Sequence, residues 1–262
     1  MIIVTGANGF IGRNLEFFLP LEERDIFRLK VDIRNYVSMV NQMKHWFKDS
    51  HPWCIIHLAA LTDAFESVEV PLNYFETNLL GTINLLEAMR MYDIEKIVFA
   101  SSAAVEEVQN PYGLTKKNAE EWIKLYSELY GIKYVILRIY NVYGPGNNKG
   151  VVYNFMKNVK EGKPIVIYGG KQIRDFVYVD DVCKIIVKSL YLEDGTYYVG
   201  TGKGTSINKL ANLIMKVANK KVKIIRKPAK ENEIKVSICP RQDFNNYLPL
   251  EKGLKKYWEV FP

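Results

Sequence analysis

A glycine-rich turn joins an apolar run to a helical pattern at the beginning of the sequence. The apolar run is residues 2–5 (IIVT), the helical pattern covers residues 10–19, and Gly6, Gly9 and Gly12 follow at intervals of three. Glycines here permit a tight turn, a close approach of backbone to a pyrophosphate, and close packing of helix on strand. The amides and dipole of the helix N-terminus favour phosphate as well. The pattern therefore predicts a dinucleotide site.

Short apolar runs and helical segments then alternate up to residue 139. The predicted strands are 26–29, 54–58, 97–100 and 134–139, and the predicted helices are 36–47, 72–92 and 111–130. The strands are apolar throughout rather than at every second residue, which is typical of a parallel sheet covered by helices on both faces. We therefore predict an α/β protein with a Rossmann-type, doubly wound parallel sheet.

The alternation becomes less regular after residues 144–146 (GPG). The predicted elements there are helices 151–161, 180–190 and 207–218 and strands 165–168 and 196–199. We interpret this as a dinucleotide-binding domain over residues 1–145 and a smaller substrate-binding lobe over residues 146–262. Residues 165–190 are expected to return in part to the main domain, so that the C-terminal lobe is interleaved with it.

The composition excludes several classes of protein. With 262 residues, 48% of them hydrophobic and 25% charged, the chain is expected to be globular rather than disordered or fibrous. Cys54, Cys183 and Cys239 lie far apart and form no CxxC pair. Neither a disulfide framework nor a metal site is therefore expected, and this cysteine usage favours a reducing cytoplasm.

Charge and hydropathy bear on the partners. The net charge of +7 is interpreted as a solvated lysine-rich surface, because no stretch alternates basic and aromatic residues as a nucleic-acid platform would. No apolar run approaches the roughly 18 residues needed to cross a bilayer. A strand-like run directly after Met1 leaves no room for a signal peptide. We predict neither nucleic acid nor a membrane as a partner.

Several motifs resemble one family in the right order. Residues 5–12 (TGANGFIG) resemble the TGxxGxxG of short-chain dehydrogenases/reductases, specifically their extended branch. Asp32-Ile33 resembles the pair that follows that branch's third strand and contacts adenine, residues 57–60 (HLAA) its segment beside the cofactor, and residues 73–82 its asparagine helix. The cofactor-binding residues implied by this resemblance are Gly6, Gly9, Phe10, Ile11, Gly12, Asp32, Ile33, Leu58, Ala59, Ala60, Asn78, Tyr112, Lys116 and Tyr140.

The choice between NAD and NADP stays open at this point. We find no carboxylate at the end of the second predicted strand, where one normally holds the ribose 2′-hydroxyl of NAD. Arg28 and Lys30 stand there instead and could accept the 2′-phosphate of NADP. Alternatively, Asp32 ends a merged second strand, which favours NAD. The cofactor is predicted to be NAD, with NADP possible.

A phenol and an ammonium lie four residues apart on one predicted helix. Tyr112 and Lys116 therefore share a face. A phenol with a pKa of about 10 is about three units too weak a base at neutral pH, and a nearby cation lowers that value. Ser101 and Ser102 follow strand 97–100, at the sheet edge where ligands bind. The family resemblance implies a catalytic set of Ser102, Tyr112 and Lys116, and hydride transfer at a carbinol carbon.

The second half of the chain carries motifs for a substrate. Residues 137–146 (LRIYNVYGPG), 167–170 (IYGG) and 174–182 (RDFVYVDDV) resemble segments of nucleotide-sugar epimerases and dehydratases. By that resemblance Tyr140 lies near the nicotinamide, Asn141 reaches a substrate phosphate, and Arg174 binds the nucleoside diphosphate. Near a family R-P-G-(D/E) motif, lysine replaces the arginine. The implied substrate-binding residues are Ser102, Asn141, Tyr168, Arg174, Lys230 and Glu233.

The resemblance also limits the reaction. Related dehydratases carry an Asp-Glu pair where this chain has Ala103 and Ala104, so a nucleotide-sugar 4-epimerase with Tyr112 as base is expected. A reductase of a nucleotide-linked 4-keto sugar and a non-catalytic dinucleotide sensor are the alternatives. The loop of residues 105–110 is shorter than usual, with Glu106 in place of a family tyrosine, which predicts a more open site.

The same resemblance implies a homodimer. In the family, the helices that correspond to residues 79–92 and 112–130 form a four-helix bundle across a dimer. Both helices carry apolar residues on more than one face, and these residues are Leu80, Leu85, Trp122, Leu125 and Leu129.

Overall fold

The computed structural model describes residues 1–19, 26–48, 51–229 and 234–262. These residues form two units. Unit 1 comprises Met1–Arg138 and Cys183–Tyr197, and unit 2 comprises Ile139–Val182 and Tyr198–Pro262. The units are interleaved along the chain, but they divide after residue 138 rather than 145, and the segment that returns is 183–197 rather than 165–190.

Strands and helices alternate along unit 1 and become irregular in unit 2. The described strands are β1 (Ile2–Thr5), β2 (Ile26–Arg28), β3 (Cys54–His57), β4 (Lys96–Ser102), β5 (Lys133–Ile139), β6 (Asn141–Tyr143), β7 (Ile165–Tyr168), β8 (Ile173–Tyr178), β9 (Gly195–Val199), β10 (Gly204–Ser206), β11 (Ile224–Lys227) and β12 (Val236–Ser237). The described α-helices are α1 (Phe10–Leu15), α2 (Tyr36–Trp46), α3 (Glu66–Glu69), α4 (Pro71–Tyr74), α5 (Gly81–Met91), α6 (Pro111–Tyr130), α7 (Gly150–Glu161), α8 (Val179–Ser189), α9 (Ile207–Val217) and α10 (Leu250–Glu259). A π-helix covers Phe75–Leu80 and a 3₁₀ turn covers Ala103–Val105.

A parallel sheet of six strands forms the centre of unit 1. Its order is β2-β1-β3-β4-β5-β9. The strand order reverses direction between β1 and β3, which places a topological switch point at the carboxyl ends of these two strands. Thr5 of β1 pairs in register with His57 of β3 at that edge. The predicted α/β class with a doubly wound parallel sheet is confirmed.

The core of unit 1 lies between this sheet and its helices. β1 and β3 are buried along their whole length, because helices cover both of their faces. The apolar faces of α2, α5 and α6 pack together with the sheet in one cluster, which includes Met39, Met43, Leu85, Leu86, Ala119 and Ile123. The sheet edge is thereby held rigidly enough to position side chains.

The long helix predicted over residues 72–92 is interrupted in the structure. Val70 leaves the helical conformation, with φ −131° and ψ 59°, and Pro71 begins α4. The π-helix then precedes α5 and buries Asn78. Helix α1 is also shorter than predicted and ends at Leu15. The periodicity of the sequence revealed neither change.

Helix α6 has the bounds that the sequence predicts. The Asn110 side chain accepts a hydrogen bond from the backbone N–H of Gly113 and caps the first turn. Pro111 occupies the first helical position, where no N–H is needed. Gly131 ends the helix in the left-handed conformation, with φ 71°.

Unit 2 has its own core and two small sheets. One sheet has the order β10-β8-β12 with β6 also on β8, and the other pairs β11 with β7. Helices α7, α9 and α10 pack around them, through residues that include Phe155, Met156, Leu210, Ile214, Leu254 and Tyr257. In this unit, five described strands and one described helix were not predicted from the sequence, namely β6, β8, β10, β11, β12 and α10. Most of these strands are short and half-exposed.

Two absences among the described residues bear on function. No described helix is long and apolar enough to span a membrane. The described residues contain no group of three or more histidine, cysteine or acidic side chains that could hold a metal ion. Cys54, Cys183 and Cys239 are buried, and none of them is in a disulfide.

Candidate active site

The glycine turn lies against the backbone that follows β3. Gly6 has φ +67°, and a Cβ there would lie 2.6 Å from the backbone nitrogen of Ala59. A Cβ at Gly12 would lie 2.6 Å from the Cα of Ala7. The Gly9 N–H donates to the Gly6 carbonyl at 2.9 Å and closes the turn. Backbone therefore packs directly against backbone at the switch point, with no room for a side chain at Gly6 or Gly12.

His57 is locked into one neutral form at this edge. The Thr5 hydroxyl donates to His57 Nδ1 at 2.7 Å, and His57 Nε2 lies 3.0 Å from Thr82 Oγ1. The Thr82 hydroxyl already donates to the Asn78 carbonyl at 2.7 Å, so Nε2 must carry the proton. Burial, with the Lys116 charge as a smaller cause, lowers the pKa of His57 to about 3. His57 is thus a structural link rather than an acid or base.

Asn78 fastens the loop after β3 to α6. Its side-chain oxygen accepts from the Leu61 N–H at 2.8 Å, and its amide donates to the Leu61 carbonyl at 2.9 Å. The same amide donates to Thr115 Oγ1 at 3.3 Å. Because Thr115 directly precedes Lys116, Asn78 fixes both the loop that carries Leu58, Ala59 and Ala60 and the helix that carries Lys116. The asparagine singled out in the sequence therefore lies at the centre of the site.

Ser102 and Tyr112 lie together, as the sequence predicts. Ser102 ends β4 and Tyr112 lies in the first turn of α6, which brings the Ser102 hydroxyl beside the Tyr112 phenol. Burial raises the pKa of the Tyr112 phenol, and the Ser102 hydroxyl opposes that rise. Ser102 Oγ accepts from the Ala104 N–H at 3.2 Å. The phenol therefore needs a nearby positive charge to act as a base near neutral pH.

Lys116 is buried one helical turn after Tyr112, with 2% of its surface exposed. Its Nζ lies 3.9 Å from the centre of the Phe99 ring, a cation–π contact. Burial lowers the pKa of Lys116 to about 7, although the carboxylate of Glu120 opposes this shift. The ammonium and amine forms of Lys116 therefore coexist close to neutral pH.

A charged cluster that sequence reasoning missed lies behind this set. Glu120 is fully buried, accepts a hydrogen bond from the Ser101 hydroxyl, and receives Arg138 Nη2 at 2.6 Å. Arg138 Nη1 contacts Glu106 at 2.5 Å. Glu106 lies exposed on the loop and forms an ion pair with Arg138. The only signal in the sequence is a carboxylate four residues after Lys116.

The two residues that are expected to contact adenine lie outside the strands of the sheet. Asp32 and Ile33 follow the second strand, not the third, and Asp32 does not end a merged strand because β2 stops at Arg28. The Asp32 carboxylate accepts from the Arg34 guanidinium, which lowers the pKa of Asp32. Ile33 is buried against Gly81. Arg28 pairs with Glu16 at 2.9 Å, so its charge is compensated locally.

The substrate candidates that are described in unit 2 lie on strands β6, β7 and β8. The Asn141 amide donates to the Asp175 carbonyl at 3.0 Å, and Arg174 Nη1 donates to the Ile173 carbonyl at 3.0 Å. Because β6 pairs with β8, the structure brings Asn141 and Arg174 onto neighbouring strands. Tyr140 is buried and Tyr168 is exposed. Lys230 and Glu233 lie outside the described residues.

Comparison with known proteins decides the family. The sequence profile of the NAD dependent epimerase/dehydratase family matches residues 2–200. The chain belongs to the NAD-dependent epimerase/dehydratase family. A protein of Methanocaldococcus jannaschii provisionally named UDP-glucose 4-epimerase is 37% identical over 99% of this chain and 93% of its own length. The UDP-glucuronate 4-epimerase of Thermodesulfobacterium geofontis is 30% identical over 97% of this chain and 94% of its own length.

A solved structure agrees with this membership. The UDP-glucose 4-epimerase of Thermotoga maritima, crystallised with UDP-glucose, superposes with a TM-score of 0.89 at 28% identity, over 99% of this chain and 98% of that one. Family membership confirms that the chain is an enzyme of the extended short-chain dehydrogenase type and that its cofactor is NAD. Within the family, its similarity is to nucleotide-sugar 4-epimerases.

Proposed function

We propose that the protein is a nucleotide-sugar 4-epimerase in which Tyr112 is the base for reversible hydride transfer at C4 of the sugar. The observation that carries the proposal is the position of Ser102, at the end of β4, beside Tyr112 in the first turn of α6, with Lys116 one helical turn away. Ala103 and Ala104 supply no acid with which to eliminate water. The 4-epimerases among its relatives support the same reaction.

The glycine turn supports the binding of a dinucleotide. A Cβ at Gly6 would collide with the Ala59 backbone, so glycine is required for the turn to lie this close to the end of β3. We propose that Gly6, Gly9, Gly12 and the amides of Phe10 and Ile11 hold the phosphates. By resemblance to the family, we propose that the cofactor also contacts Asp32, Ile33, Leu58, Ala59, Ala60, Asn78, Lys116 and Tyr140. NAD, when bound, accepts a hydride from the sugar and returns it.

The side chains divide the proton chemistry between them. Tyr112 Oη takes the proton of the C4 hydroxyl and later returns it, while the Ser102 hydroxyl donates a hydrogen bond to the same sugar oxygen. Burial raises the pKa of Tyr112, so the ammonium of Lys116 has to lower it. Lys116 therefore acts through its charge, and the neutral His57 takes no part in proton transfer.

The proposed substrate is a UDP-hexose or a UDP-hexuronate. The relatives named for UDP-glucose and UDP-glucuronate support this class. We propose that Asn141, Tyr168 and Arg174 contribute to nucleotide binding, with Lys230 and Glu233. A planar guanidinium such as that of Arg174 suits a phosphate pair. Replacement of Arg174 by methionine is expected to raise KM for the nucleotide sugar more than it lowers kcat.

We also propose that the protein is a homodimer joined through α5 and α6. Apolar side chains lie exposed on the surface of the single chain at Leu114, Trp122, Leu125 and Leu129 of α6 and at Leu80, which directly precedes α5. Static light scattering should give twice the chain mass at micromolar concentration. Leu125→Glu should give the mass of one chain, and a monomeric wild-type protein would contradict the proposal.

A substrate panel tests the proposed reaction. Purified protein with NAD is incubated with UDP-glucose, UDP-glucuronate and UDP-N-acetylglucosamine, and proton NMR detects the 4-epimer of each. Tyr112→Phe is expected to lower kcat by about 10²–10⁴-fold while NAD binding persists. Tyr130→Phe removes the same hydroxyl from the exposed end of the same helix and should keep full activity. An equally active Tyr112→Phe variant would refute the mechanism.

A further inference from the structure

The carboxylate of Glu120 connects three elements that carry or flank the proposed catalytic side chains. It lies on α6 one turn after Lys116, is fully buried, and accepts from the hydroxyl of Ser101 at the end of β4. Arg138 of β5 contacts it twice, with Nε at 3.1 Å from one oxygen and Nη2 at 2.6 Å from the other. A buried carboxylate with this many partners is fixed in position.

Among the described residues, the negative charge that acts on Lys116 is that of Glu120. Its ammonium is removed from water and rests on an aromatic ring, and desolvation favours the neutral amine. Glu120 opposes that effect through its charge. The ionisable and aromatic groups that face Lys116 are neutral His57 of β3, Phe99 of β4, Tyr112 and Glu120 of α6, and, through Glu120, Arg138 of β5.

We propose that Glu120 is a positioning residue that keeps Lys116 charged and fixes the end of β4 on which Ser102 lies. The inference deepens the proposed function, because a charged Lys116 is what makes the Tyr112 phenol a usable base. Glu106 holds the outer side of Arg138. It thereby secures the guanidinium against Glu120, and the shortened loop contributes an acidic residue to the cluster.

The Ser101 bond gives Glu120 a second effect. Ser101 and Ser102 are consecutive residues at the end of β4, so their side chains point to opposite sides of the strand. The Ser101 hydroxyl donates to Glu120, and the Ser102 hydroxyl lies beside the Tyr112 phenol. Glu120 therefore fixes the strand end that presents Ser102, and it acts on both neighbours of the Tyr112 phenol.

The titration of Lys116 is the direct test. The protein is labelled with [ε-¹³C]lysine without added cofactor or substrate, and the Lys116 signal is assigned by its loss in Lys116→Met. In Glu120→Gln, the NMR titration midpoint of Lys116 is expected to fall by about one pH unit. Glu121→Gln is the matched control, because Glu121 is the next residue of α6 and pairs with Lys124 on the surface. Its midpoint should equal that of the wild type.

A conservative variant keeps the test decisive if Glu120→Gln does not fold. Glu120→Asp retains the charge but withdraws it by one methylene, so its midpoint should lie between those of the wild type and Glu120→Gln. It should also restore part of the activity. A Lys116 midpoint that is the same in the wild type and in either folded Glu120 variant would overturn the inference.

The pH profile of kcat/KM provides a second readout. The acid limb reports deprotonation of Tyr112, and in Glu120→Gln it should move to higher pH. A merely structural defect would lower kcat/KM equally at every pH, which would overturn the inference. The two proposals can fail separately. A normal shift of Lys116 in a protein that turns over no nucleotide sugar would refute the function alone, whereas turnover without any shift would refute the role of Glu120 alone.

Discussion

Replacement of Gly6 by alanine should be far more damaging than the same change at Gly131. The two glycines have almost the same backbone conformation, with φ +67° and +71°. Left-handed backbone costs a non-glycine residue about 1–2 kcal/mol, and the loss of freedom in the unfolded chain favours alanine by about 0.4–1 kcal/mol. Both effects are common to the two positions, so they cancel when the variants are compared.

The difference lies in what the new Cβ would meet. At Gly131 the new Cβ would have no described heavy atom within 4 Å, apart from its chain neighbours and the backbone of its own helix. At Gly6 the Cβ would lie 2.6 Å from the Ala59 nitrogen and 2.8 Å from the Ala59 Cα. These are backbone atoms and cannot rotate away, so the turn and the end of β3 have to separate. Overpacking of this kind costs about 1–3 kcal/mol, which is the expected excess of Gly6→Ala over Gly131→Ala in the free energy of unfolding.

Urea denaturation followed by circular dichroism measures both free energies, and isothermal titration with NAD measures the function of the turn. Gly131→Ala should bind NAD as the wild type does. Gly6→Ala should bind NAD much more weakly, because the glycine turn that is proposed to hold the pyrophosphate is displaced. Equal destabilisation by the two substitutions, or unchanged NAD affinity in Gly6→Ala, would refute the argument from close backbone approach.

Three further substitutions test the interior of the site. Thr82→Val removes the acceptor of His57 Nε2–H and should destabilise the fold by about 1–3 kcal/mol in urea; no loss would contradict the assigned tautomer. Lys116→Met should be more stable than wild type at pH 6, with a gap that closes toward pH 10. The buried lysine has a pKa of about 7, so its contribution to stability increases with pH above 7; a widening gap would refute this. Ser102→Ala should move the acid limb of kcat/KM to higher pH, because the Ser102 hydroxyl lowers the pKa of Tyr112; an unmoved limb would contradict that effect.

Local signals in the sequence were sufficient for the parts of the site that depend on neighbouring residues. The strand, the glycine turn and the helix that follows it lie within residues 2–19, and a single pattern describes all three. Asn110, Pro111 and Gly131 mark both ends of α6, so the placement of Tyr112 and Lys116 on one helix could be predicted. The serine at the end of β4 could also be placed at the sheet edge, because parallel strands present their carboxyl ends together.

The rest depended on contacts between residues far apart in the sequence. Glu120 and Arg138 are 18 residues apart, and nothing in a single sequence says that a carboxylate on a helix will be buried against a particular strand. The alternative in which Asp32 ends a merged second strand was wrong, because β2 ends at Arg28. Strand β8 was interpreted only as a binding motif, since its polar residues hide its strand pattern.

The most direct test of the proposed reaction follows the hydrogen at C4. UDP-glucose deuterated at C4 is incubated with the protein and NAD, and the 4-epimer is isolated and examined by NMR and mass spectrometry. Hydride transfer through Tyr112-assisted oxidation and return predicts a product that keeps its deuterium at C4, with no net accumulation of NADH. A 4-epimer that has exchanged this deuterium for solvent hydrogen would contradict the account.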